Sequence, residues 1–153
     1  MTGELFDPAR MALEPNREST IQITTAPMSA FGAFRETGGL VPWECLRGNY
    51  IIDSHGNAMT LESALSSRRL VRVVHRERLL VPSFQFEGGA LRWRVGTQEV
   101  LDELRGAYDD DEIAMWFSTP SPWLDGSTPA KTLAWSFQSV IAAARVDRYV
   151  VRG

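Results

Sequence analysis

The chain has 153 residues, a hydrophobic fraction of 44%, an aromatic fraction of 10% and a net charge of −3. That suits one packed domain with or without a tail and excludes wholesale disorder. No apolar run approaches the length of a membrane span, and Met1–Asp7 has neither a basic n-region nor an apolar h-region, so a cytoplasmic chain without a membrane segment is expected. A single cysteine, Cys45, excludes an internal disulfide framework, and two histidines leave little for a metal centre.

Residues 1–40 read as a partly irregular arm. Pro8, Pro15 and Pro27 interrupt any period, and only Ile21–Thr25 alternates as a short strand would. Residues 41–86 read as a helix–hairpin unit. Asn49–Asp53 suggests a strand, Ser54–Asn57 a turn, and Thr60 an N-cap for a helix with Leu61, Ala64 and Leu65 on its buried stripe. Leu70–His75 and Leu79–Phe86, joined across Arg76–Arg78, predict a hairpin in which Phe84 and Phe86 share a face.

Residues 87–146 read as helical. Thr97 is the expected cap of a helix carrying Val100, Leu101, Leu104 and Tyr108 on one side. Asp109 and Glu112 form a capping-box pattern before a stripe of Ile113, Trp116 and Phe117, and Pro120 and Pro122 stop that helix. Thr128-Pro129 restarts a closing helix with Leu133, Phe137, Val140, Ile141 and Ala144 inward, and 147–153 reads as a tail. Most of the five tryptophans are expected in the core, with Trp123, between proline and an Asp-Gly turn, a candidate partner anchor. The fold class is α+β, mostly helical.

Charge is segregated along the chain. Residues 68–94 hold seven arginines against two glutamates, a net of +5, and residues 95–126 hold eight acids against one arginine, a net of −7. Arg68, Arg69, Arg72, Arg76 and Arg78 are therefore candidate phosphate contacts to operator DNA, unless the two segments neutralise each other. Catalytic signals are thin. Asp53-Ser54-His55 brings three catalytic residue types together, but neighbours in a turn seldom point at one another. Cys45, His55 and His75 match no zinc spacing, and no glycine-rich phosphate loop is present. Neither a catalytic residue nor a cofactor or metal is expected.

The stretch Ala114–Leu133 resembles the toxin-binding domain of Xre/MbcA/ParS-type antitoxins. The match runs through Trp116, Phe117, Pro120, Pro122, Leu124, Gly126, Thr128, Pro129 and Leu133; it is strongest over 82–133 and spans about 58–146. Upstream of residue 58 the chain departs from the family, with no multi-helix Xre-type domain. The resemblance implies a non-enzymatic antitoxin of a type II toxin–antitoxin system that binds a RES-domain, NAD-consuming toxin and occludes its active site. Autorepression of its operon is a further implied role. The expected contacts are Trp116, Phe117, Pro120, Trp123, Leu124, Gly126, Thr128 and Pro129 in the corner, with Arg145, Arg148, Tyr149 and Arg152 in the tail. A homo-oligomer, or a hetero-oligomer with the toxin, is the expected assembly. The alternative is a DNA-binding transcriptional regulator with no toxin partner.

Overall fold

Thr60 caps its helix as its sequence suggests, its hydroxyl accepting from the Ser63 N–H at 3.0 Å. Asp109 and Glu112 close a reciprocal capping box at 2.8 Å in each direction, and Thr128-Pro129 opens a third helix with hydroxyl cap and proline in place. The computed structural model describes residues 32, 34–88 and 90–152, with only the backbone of Arg152. Most of the expected N-terminal arm, including Ile21–Thr25, lies outside the described residues.

In chain order the elements are β1 (Leu40–Pro42), α1 (Trp43–Leu46), β2 (Tyr50–Ile52), β3 (Ala58–Thr60), α2 (Leu61–Ser66), β4 (Val73–His75) and β5 (Arg78–Pro82). They are followed by α3 (Thr97–Leu104), α4 (Asp110–Ser118), α5 (Pro129–Thr132) and α6 (Phe137–Arg152). The fold is α+β and mostly helical. The strands β1-β5-β4 form one antiparallel sheet, and β2 pairs with β3 in a second. The β4–β5 hairpin turns through Arg76 and Glu77, both at positive φ. This is the left-handed pair that a tight two-residue hairpin loop requires.

Strand alternation sorts β5 between two apolar clusters. Leu80 packs with Leu40, Val73 and the helices around Phe34, Phe84, Leu101, Phe117 and Val140. Its neighbour Val81 joins Ile51, Leu61, Phe86 and Trp93 in the smaller cluster. The expectation that Phe84 and Phe86 share a face is overturned. Ser83–Gln85 forms a 3-10 turn, which abolishes the period-two alternation and sends the two rings into different clusters. Gln85, fully buried, fixes that turn by exchanging two 2.9 Å hydrogen bonds with the Val71 backbone. Arg94 adds donors to the Phe84 and Phe86 carbonyls.

Three helical expectations are also corrected. Gly96, not Thr97, occupies the α3 N-cap, in the left-handed region at φ +92°; a Cβ there would meet the Phe137 Cβ at 2.4 Å, so only glycine lets the chain pass the start of α6. The closing helix is two: α5 ends at Thr132, and Leu133 is buried in the link before α6. The segment expected as a tail from 147 continues α6 to Arg152, because nothing in Val146–Val151 breaks a helix.

Candidate functional site

The corner between α4 and α5 is closed by its own backbone. The Ser121 N–H donates to the Ser127 carbonyl at 3.0 Å, and the Gly126 N–H donates to the Ser121 carbonyl at 2.9 Å. Asp125 and Gly126 both sit in the left-handed region, so this loop is a built turn. Leu124, Phe117 and Pro129 are buried beneath it. Their side chains shape the corner from beneath, and Pro129 also lines the cavity described below. Pro120, Trp123 and Gly126 are exposed, Trp116 and Thr128 are half-buried, and Thr128 spends its hydroxyl on the Lys131 N–H.

Trp123 is 53% exposed yet held in place. Its indole N–H donates to Asp147 Oδ1 at 2.8 Å, and the Trp116 indole N–H donates to Asp147 Oδ2 at 2.7 Å. One carboxylate on α6 thus anchors both tryptophans of the corner. A cavity of about 220 Å³ opens beside it, lined by Trp116, Thr119, Pro120, Pro122, Pro129 and Asp147. Burial pushes the nearby Tyr108 phenol up, and the negative charges of Asp147 and Glu112 push it in the same direction. Along its last turns α6 leaves Val146, Tyr149, Val150 and Val151 exposed, Tyr149 at 78%. Val146, Tyr149 and Val150 follow i, i+3, i+4 spacing, so they form an apolar strip on a face of α6 different from the one that carries Asp147.

The expected tail cations behave differently. Arg145 Nε and Arg148 are both bound to Glu103 on α3, at 2.9 and 2.8 Å. They tie α6 to the body instead of standing free as donors. The side chain of Arg152 lies outside the described residues.

Of the basic set, Arg68 donates to Asp110 at 2.8 Å and to the Tyr108 carbonyl at 3.0 Å. Arg72 reaches Asp110 and Asp111 at 3.3 and 3.0 Å. The two oppositely charged segments meet at the start of α4, where the acids also favour the helix dipole. Arg69, Arg76 and Arg78 are exposed. The Asp53-Ser54-His55 letters form a turn: Asp53 accepts from the backbone N–H groups of His55 and Asn57, and the Asn57 bond holds its carboxyl below the usual range. Among the described residues no group of three His, Cys, Asp or Glu side chains is placed to hold a metal, and no helix is long and apolar enough to cross a membrane.

Two features escaped the sequence. Asp147 stands among arginines on a helix and reads locally as a solvated charge; its partners lie 31 and 24 residues away. Trp93 is buried and Trp43 and Trp116 pack partly buried against the two clusters, but Trp135, unmarked by the sequence, is 72% exposed.

The chain is similar to the pre-rRNA-processing protein IPI3 of Mycosarcoma maydis, with 25% identity over 130 residues that cover 78% of this chain and 21% of that protein. The chain therefore spans about a fifth of the length of the relative it matches. No family model and no solved structure matches it.

Proposed function

We propose that this chain is a non-enzymatic antitoxin that binds a RES-domain, NAD-consuming toxin and occludes its active site. The observation that carries the reading is the anchored, half-exposed Trp123, with an exposed apolar strip of Val146, Tyr149 and Val150 on another face of α6. An aromatic anchor on a rigid frame, and apolar area that the fold leaves uncovered, are what a protein-binding surface needs. The corner sequence and its resemblance to toxin-binding domains name the partner class. The DNA alternative is the weaker reading, because Arg68 and Arg72 are already engaged with Asp110 and Asp111.

The test measures NAD consumption by a RES-domain protein encoded beside this chain. The expected result is suppression at saturation by the intact chain and restored turnover with the Trp123→Ala, Tyr149→Asp double variant. Both substitutions fall on exposed side chains, so the fold should survive them. Unchanged NAD turnover with the intact chain, or equal suppression by the double variant, overturns the proposal.

A further inference from the structure

The carboxylate of Asp147 combines three properties. It lines a cavity, it has no ion-pair partner among the described residues, and it sits beside the surface read above as the docking face. Each of its oxygens accepts one indole N–H. A carboxylate offers about four acceptor positions, so one is left on each oxygen. Pro120, Pro122 and Pro129, Trp116, Thr119 and Ser121 complete its lining.

If a partner covers Trp123, whose indole is bound to Asp147, water is stripped from Asp147 as well. An ionised carboxylate desolvated without a counter-charge is strongly destabilising, so the partner must bring a cation. A guanidinium fits better than an ammonium. Its fork can use one free position on each oxygen, and its plane can lie against an indole face and proline rings. The negative field from Asp147 and Glu112 that is felt at Tyr108 favours the same sign of guest.

We infer that the cavity between the α4–α5 corner and α6 receives an arginine side chain of the partner, with Asp147 as its acceptor. The inference rests on the docking reading above, and the corner tryptophans report it independently of any toxin.

The full chain, labelled with 15N, is titrated with N-acetylarginine methylamide and separately with the neutral N-acetylcitrulline methylamide. The indole N–H resonances of Trp116 and Trp123 should shift saturably with the arginine probe alone, and less at high salt. Those of Trp43, Trp93 and Trp135 should stay fixed. No shift, or an equal shift with citrulline, overturns the inference whatever the toxin does. The Asp147→Asn variant should abolish the shift and weaken toxin binding by about tenfold or more with a flatter salt dependence. A probe that shifts the indoles while no RES-domain toxin binds would sink the proposed function and leave the cavity's preference standing. A toxin that binds both forms equally well, with a silent probe, would do the reverse.

Discussion

The two ends of α4 handle acidity in opposite ways. At its start Asp110 and Asp111 are met by Arg68 and Arg72 from the link between α2 and β4. At its end Trp116 reaches Asp147, a carboxylate that receives indole donors and no cation from the described residues. The first arrangement is saturated and holds the hairpin unit against the helices. The second is fixed in position but electrostatically open. The chain thus separates a carboxylate pair neutralised within the fold from one that is unpaired with any cation among the described residues.

The most severe way to break that contrast is to displace α6, which carries Asp147. Gly96→Ala forces a Cβ into Phe137 from a left-handed backbone, and a loss of about 3 kcal/mol in urea unfolding is expected. If the midpoint is unchanged, the close approach of α3 and α6 does not constrain the fold.

A direct comparison of the two acidic spots comes next. The Arg68→Ala, Arg72→Ala double variant leaves a half-buried Asp110 uncompensated. Screening by partial exposure limits the cost to about 2 kcal/mol. Asp147→Asn should cost less than about 1 kcal/mol, since it removes one indole bond and no ion pair. Equal thermal shifts for the two would erase the distinction between a saturated and an open site.

The smallest effect is a pH dependence on the basic hairpin. Burial lowers the His75 pKa below its ordinary 6.5, with the adjacent Arg76 charge acting in the same direction. Folding therefore favours neutral His75. Its contribution is complete above pH 6.5 and is lost as pH falls through the depressed folded value. The His75→Gln variant should lose less stability than the parent between pH 7 and pH 5. Parallel losses would assign the acid sensitivity to other groups.

Much of the fold was legible because its signals are local. The Thr60, Asp109 and Thr128 caps, the prolines after α4 and the hairpin each depend on residues a few positions apart. What stayed hidden depends on distant partners. The Phe84 and Phe86 pattern is that of a strand until Gln85 finds the Val71 backbone 14 residues away. The charge segregation showed that the basic and acidic segments could pair, but not which residues meet, and Arg68 finds Asp110 across 42 residues. At the candidate site, the aromatic corner could be read from its motif. The acceptor that holds it could not, since one aspartate between Val146 and Arg148 has no local pattern to mark it.

The position of β5 between two apolar clusters has a consequence for sequence drift. Most surface strands keep one face in water and accept neutral change at every second position. Leu80 and Val81 are consecutive and line different interiors, so neither parity of this strand is free to vary. A single-residue slip against β1 would exchange the contents of both clusters at once. Over evolutionary time this wall should change by paired, compensating substitutions on its two sides, while the exposed end of α6 remains free to follow whatever it contacts.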